Sequence, residues 1–470
     1  MKHKYSVRAW MVLLGVILIR GFAGGGINLT SGQFLAPVSE DIGVGIGSLS
    51  IYFSITSIAL VVWLPTAGKL VNKYDVRILA IIAAIFQALS FAAFAFLNNV
   101  IGWYILSIPQ AMGAAILVNL LGPILLNRWF PQNTGFFIGI QMAFVSLFGA
   151  VIQPWTSDLI ATRGWRTAYF VIGVITFIVV LISSFIFLHN RPDKTTTNNT
   201  SKTQKEAQKE TLRKTQEETL GKTQKETLGK PQEQTQEYTL GKTQEQSEAE
   251  TQEQTQQQTE AHQKLSEDIQ ISEKTAIRSI SFVMLLVFMI AMTGVAVFSQ
   301  HVPTYGALIG YNMAQIGTAL SLTSIGSALG AVAIGYISDK IGGLKTCYGI
   351  IVIWIISIIG LLFSRQGFWL FVSSSFLHGF AASSIFVLAP ILTLIFYGKM
   401  DYEKIFAKVS MGAPLASILL IPVYGYIYDA TGSYLLVLLS LILLLIIAAT
   451  CIAVGWKKRC TKEGCPAWKK

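Results

Sequence analysis

A recurrence sets the fold class of this chain. Runs of about 20 mostly apolar residues, the length an α-helix needs to cross ~30 Å of hydrocarbon, return along the sequence with one long interruption. Twelve can be placed, over residues 9–35, 48–70, 77–97, 101–127, 135–160, 166–188, 279–304, 314–337, 345–364, 367–397, 405–428 and 433–456. Composition agrees: 52% of residues are apolar, 13% are charged and mean hydropathy is +0.55, well beyond the range of soluble domains. The expected fold is an all-α integral membrane protein with twelve transmembrane helices. The first run begins basic, yet it is too long and too glycine-rich for a cleaved signal peptide, so it is expected to stay in the mature protein.

Lysine and arginine give the orientation. With the N-terminus on the cytoplasmic side, the inward loops and tails, leaving aside the central interruption, carry 18 basic residues, and the outward loops carry three, Arg163, Arg166 and Arg365. That asymmetry satisfies the positive-inside rule and places both termini in the cytoplasm of a bacterial plasma membrane. The net charge of +11 is then mostly a topology signal, and no nucleic-acid partner is implied.

The interruption, residues 190–275, is rich in Gln, Thr, Glu and Lys and contains a degenerate TLRK/TLGK repeat at 211, 219, 227 and 239. It buries too little apolar surface to offset the entropy of ordering, so a disordered cytoplasmic linker is expected. The chain thus divides into an N-terminal bundle (1–189), the linker (190–275), a C-terminal bundle (276–456) and a basic tail (457–470).

The two bundles repeat one another. Pro37 answers Pro303, GKLVNKYDVR from Gly68 answers GYISDKIGGLK from Gly335, and Gly113 with Pro123 answers Gly379 with Pro390. Pro154 answers Pro422 and Gly164 answers Gly432, all at offsets of 266 to 268. Parallel six-helix repeats are the architecture of transporters that rock two bundles about a central site.

Here the sequence resembles the major facilitator superfamily. Gly335, Ile337, Asp339, Lys340, Gly342 and Lys345 are similar to the motif that family carries between helices 8 and 9. Gly68, Leu70, Lys73 and Arg77 partly match its copy between helices 2 and 3, with Asn72 in place of an aspartate and Asp75 in place of a glycine. The resemblance implies a cytoplasmic gate at these residues, with the N-terminal copy the weaker latch because Asn72 carries no charge. NRWFPQNTGFFIG (127–139), GWRTAYFVIG (164–173) and YEKIFAK (402–408) look like the oxalate/formate antiporter and monocarboxylate transporter branches. That resemblance implies an anion-binding lysine at Lys408. The arginine common in helix 8 of those relatives is missing from AQIGTALSLTSIGSALGAVAIGY.

One charge stands apart. Arg20 falls near the bilayer midplane, where insertion costs about 2.5–3.5 kcal/mol unless the side chain faces a cavity or a partner. No Asp or Glu lies near the midplane of the twelve runs; Asp158 and Asp429 lie at outer ends. A guanidinium stays charged at physiological pH and binds carboxylate bidentately, so Arg20 suits an organic-anion site; bonding to backbone carbonyls would instead make it a packing residue. Gly21, Gly24, Gly25 and Gly26 beside it fit either tight helix contact or room for a ligand.

Asn28, Gln33, Gln110, Asn119, Gln141, Gln153, Gln300, His301 and His378 are neutral polar residues that could line the path; Asn28, Gln110, Asn119, Gln141 and His378 join Arg20 and Lys408 as candidate substrate-binding residues. The two histidines could couple proton movement, although packing explains a lone histidine as well. Cys347, Cys451, Cys460 and Cys465 fit neither a structural disulfide nor a zinc site. No phosphate-cradling loop, metal-spaced pair or nucleophile motif is present, so neither an enzyme nor a cofactor is expected. The leading function is secondary transport of a small mono- or dicarboxylate by a monomer, with a proton or a counter-anion as coupling ion. The alternatives are a transporter-like sensor or scaffold acting through the linker, and an exporter of lipophilic drugs.

Overall fold

The computed structural model describes residues 5–130, 134–189, 271–398 and 400–459, without the side chain of Asn72. Residues 190–270 of the expected linker, and the basic tail beyond Arg459, lie outside the described residues. Regular structure in the rest is helical.

Among the described residues, eleven continuous helical segments are long and apolar enough to cross a membrane. They are α1 (Val7–Ile42), α2 (Ile46–Val71), α3 (Val76–Phe96) and α4 (Val100–Trp129), then one segment over Phe136–Ile186. After the linker come α7 (Ile280–Gln300), α8 (Met313–Ile341), α9 (Gly343–Leu362), α10 (Phe368–Tyr397), α11 (Tyr402–Thr431) and α12 (Leu435–Lys457). At 1.5 Å per residue the 53-residue helical run Thr134–Ile186 would be about 80 Å long, more than twice the hydrocarbon thickness. It breaks at Gly164, whose φ of +81° and ψ of 160° are not helical, giving α5 (134–163) and α6 (165–186). The described residues therefore hold twelve spans, and α1 begins and α12 ends on one face, the terminal face; the opposite is the far face.

Helix starts follow capping residues in the sequence. Ser6, Asp75, Asn99 and Ser279 each accept a first-turn N–H, and Asn312 with Gln315 forms a reciprocal capping box at the start of α8. The repeat reappears in the turns. Gly164 and Gly432 both adopt positive φ at matching far-face turns, and so do Gly43 and Gly310, which lie 267 residues apart. The two gating copies diverge for a visible reason. Gly342 takes a φ of +89°, whereas Asp75 is extended and caps α3 by accepting from the Arg77 N–H at 2.8 Å.

Each half has its own apolar interior. One cluster, including Phe288, Trp354, Leu388 and Leu441, fills the C-terminal half. Two clusters fill the N-terminal half, one around Val12, Ala80 and Leu125, the other around Phe34, Phe94, Trp103 and Tyr169.

The described hydrogen bonds between the halves lie toward the far face. The Asp429 carboxylate on α11 accepts from the N–H groups of Ile46 and Gly47, at 2.9 and 2.7 Å, and so caps the start of α2. Ser54 donates to the Ile418 carbonyl at 2.6 Å. Between α5 and α8, Ser321 donates to the Ala150 carbonyl at 2.7 Å and Ser324 to Gln153 Oε1 at 3.1 Å. Glycines let these helices touch: a Cβ on Gly425 would lie 2.6 Å from Gly47 Cα, and one on Gly317 2.9 Å from Pro154 Cα. The halves are sealed at the far face.

Candidate functional site

Helix α1 changes its winding where the charge sits. It is α-helical over Val7–Arg20, becomes a π-helix over Gly21–Asn28 and tightens to a 3₁₀ turn over Ser31–Phe34. A π turn adds a residue per turn and re-aims the side chains on either side of it. Shorter π turns over Ile85–Leu89 in α3 and Ala115–Leu120 in α4 touch the one in α1. Two of the glycines serve close packing. A Cβ on Gly21 would lie 2.6 Å from the Phe148 ring, and one on Gly25 2.7 Å from the Val145 carbonyl oxygen, both on α5.

Arg20 is 7% exposed. With the Gln141 amide oxygen turned toward it, Oε1 accepts from Nη1 at 2.6 Å and from Nε at 3.2 Å. Amide orientation is assigned from such partners, and the opposite one would set two donors against each other. Nη2 faces the Met142 thioether at 3.9 Å, a weak acceptor. The described ion pairs are Arg166 with Asp41, Lys404 with Asp401 and Lys408 with Glu273, so none of them supplies Arg20 with a carboxylate. The arrangement is a buried positive charge, oriented by one neutral amide, with Nη2 lacking a strong acceptor among the described residues.

The other candidates separate. Asn28 accepts from Gln87 Nε2 at 3.4 Å, and Gln87 also donates to the Ala23 carbonyl at 3.0 Å, which ties α3 to the π turn. Gln87 was missed in the sequence, although a glutamine within an apolar run was the available signal. Asn119 is exposed and donates to the Ala114 carbonyl of its own helix at 3.2 Å. Gln110 is buried, and its Oε1 has no partner among the described residues. Gln33 accepts from Ser157, and Gln153 bridges Leu29 and Ser324, so these two glutamines belong to the far-face contacts. A Cβ on Gly32 would overlap the Gln300 backbone, which places Gln300 there as well.

Lys408 pairs with Glu273 at 2.8 Å, in the short helix Glu273–Ile277, so the last residues of the linker, against the expectation of disorder, are helical and packed against α11. Asp401 Oδ2 accepts from the Glu273 N–H at 3.0 Å; that bond and Lys404 hold the Asp401 carboxyl below the usual carboxylate range. His301 is bonded through both ring nitrogens, to the Tyr434 hydroxyl at 3.0 Å and the Ile421 carbonyl at 2.9 Å. His378 is fully buried between the Phe298 and Trp354 rings, 6.2 Å from each. Neither of its ring nitrogens has a hydrogen-bond partner among the described residues. Both histidines thus sit within the C-terminal half, apart from Arg20.

The described contacts of the gating residues stay within their own halves. The Lys73 ammonium lies 5.4 Å from the Tyr74 ring centre, and Arg77 Nε donates to the Leu188 carbonyl at 2.6 Å. Lys340 lies 4.6 Å from the Tyr336 ring, and Asp339 is exposed. The branch-like stretch 164–173 packs within the N-terminal half. Arg166 ties the carbonyls of Ala95 and Leu97 to Asp41, and Tyr169 stacks on Phe34 at 3.7 Å.

Comparison with known proteins places this architecture. A family model described as Major Facilitator Superfamily matches residues 13–346 and 284–463. Monocarboxylate transporter 4 of Rattus norvegicus is 25% identical over 165 residues, 35% of either chain. The oxalate:formate antiporter of Oxalobacter formigenes is 21% identical over 177 residues, 38% of this chain and 42% of that one. The probable sulfoacetate transporter SauU of Cupriavidus necator is 23% identical over 193 residues, 41% of this chain and 44% of that one. The chain spans less than half the length of these curated relatives. Among solved structures, the nucleoside transporter NupG superposes with a TM-score of 0.64 at 12% identity, over 96% of this chain and 100% of that one, a likeness of fold alone. The chain, a multi-pass helical membrane protein of two repeated bundles, belongs to the Major Facilitator Superfamily.

Proposed function

We propose that the protein is a secondary transporter of a small organic anion of the mono- or dicarboxylate type, with Arg20 as the charge that receives it. One observation carries this reading: a guanidinium 7% exposed whose described partners are a neutral amide and a thioether. Holding a charge at that depth costs several kcal/mol unless it is compensated, and an arriving carboxylate compensates it. Relatives described as monocarboxylate, oxalate:formate and sulfoacetate transporters support the anion class. The far-face seal supports alternating access, in which α2–α11 and α5–α8 separate as the terminal face closes. With the termini in the cytoplasm of the plasma membrane, as the basic residues indicate, this conformation faces inward. Exchange and proton symport both fit, and no catalytic role is assigned.

The test is uptake into proteoliposomes of labelled acetate, lactate, pyruvate, oxalate and succinate. Losing a charge-assisted hydrogen bond of about 1.5–3 kcal/mol corresponds to roughly a 10- to 100-fold loss, so Arg20→Gln should reduce uptake of every accepted anion by at least about tenfold. Undiminished uptake by the variant would remove Arg20 from the mechanism.

A further inference from the structure

We infer that Gln141 is the residue that keeps this site selective for anions, by orienting Arg20 without cancelling its charge. The inference rests on the anion-transport reading above. Gln141 lies on α5 with no exposed surface, and its amide is the one strong acceptor described for Arg20, taking both Nη1 and Nε. The amide is itself held: a Cβ on Gly122 of α4 would overlap it, so the absent side chain there is the space it occupies. Three helices thus converge in one chain of contacts, with Gly122 making room, Gln141 filling it and Arg20 fixed by Gln141.

The chemistry of that acceptor decides what the site can do. Glutamate has the same length and shape and would accept the same two N–H groups. It would also place a permanent carboxylate on the guanidinium, in a pocket shielded from water where opposite charges attract strongly. A fixed carboxylate competes with a diffusing one at far higher effective concentration, so the site would be occupied by the protein itself. Glutamine supplies the orientation and leaves the positive charge uncompensated. Gln141 is therefore a positioning residue acting through Arg20, and its neutrality matters as much as its hydrogen bonds.

A purely structural Arg20 makes the opposite prediction. If the guanidinium only fastens α1 to α5, a carboxylate at position 141 holds it at least as well and transport is unaffected. The experiment measures KM and maximal rate in proteoliposomes for whichever of acetate, lactate, pyruvate, oxalate or succinate the wild type takes up fastest. Wild type, Gln141→Glu, Gln141→Leu and Arg20→Gln are compared, with melting temperature in detergent as the check on folding. Gln141→Glu should raise KM at least about tenfold at an unchanged or higher melting temperature. Gln141→Leu, which keeps the charge and loses the orienting oxygen, should raise KM less. A Gln141→Glu variant with wild-type KM overturns the inference, as does a Gln141→Leu variant impaired as severely as the glutamate. Anion uptake lost in Arg20→Gln but kept at normal KM in Gln141→Glu overturns this inference alone; no anion uptake by the wild type overturns the transport reading with it.

Discussion

Arg20 and Lys408 were the two basic side chains that the sequence offered to an anion, and the structure gives them different surroundings. Arg20 stood out because an apolar run contains nothing else like it, and a charge within such a run has to be accounted for locally. Lys408 is paired with Glu273 at 2.8 Å, across 135 positions of sequence, and its partner belongs to the polar end of the linker, where one more glutamate carries no signal. The histidines differ for a related reason: their residue type shows in the sequence, whereas the Tyr434 hydroxyl and Ile421 carbonyl that occupy His301 depend on how α7, α11 and α12 meet. Two predictions belong at this scale. Arg20→Lys keeps the charge but loses the planar fork, so it should retain measurable uptake with KM raised about threefold, between wild type and Arg20→Gln in a saturation assay. Glu273→Gln should leave KM for the anion within about twofold of wild type, because a half-exposed ion pair contributes about 0–1 kcal/mol; a tenfold change in KM would bring Lys408 back into the binding site.

At the scale of the helix, the spans were legible because hydrocarbon thickness dictates their length, and the GGG stretch marked α1 as unusual. The change to a π-helix at Gly21 was not legible. A single added residue per turn is decided by contacts with α5, α3 and α4, and the local sequence does not encode them. The same contacts give the glycines a role that the sequence left open, since Gly21 and Gly25 lie against Phe148 and Val145. Gly21→Val should therefore push α1 off α5. Overpacking of this kind costs about 1–3 kcal/mol, so a lowered melting temperature and reduced yield from the membrane are expected in a detergent thermal-shift assay. An unshifted melting temperature would mean that α1 and α5 are less tightly joined than the Gly21–Phe148 contact requires.

For the whole molecule, the repeat offset of 266 to 268 residues read directly from the sequence corresponds to paired positive-φ turns at Gly164 and Gly432. The state in which the halves stand was not readable, since a transporter sequence must accommodate every conformation of its cycle. The far-face seal is built from close glycine contacts and from the Asp429 cap on α2. Asp429→Ala removes both capping bonds, each to a charged acceptor and so about 1.5–3 kcal/mol, and should shift the population toward opening at the far face. Cysteine in place of Ser54, which is buried where α2 meets Ile418 of α11, should then react with a membrane-impermeant maleimide from the far side several-fold faster than the same cysteine in the parent protein. Equal labelling rates would show that the cap does not hold the seal.

The central claim, that Arg20 receives the substrate's negative charge, is tested most directly by equilibrium binding. A labelled anion accepted by the wild type is titrated onto purified protein by scintillation proximity, with Arg20→Gln alongside. The account predicts saturable binding to the wild type and at least about tenfold weaker binding to the variant, at equal ligand-free melting temperature. Equal affinity of the two proteins for the anion would contradict it.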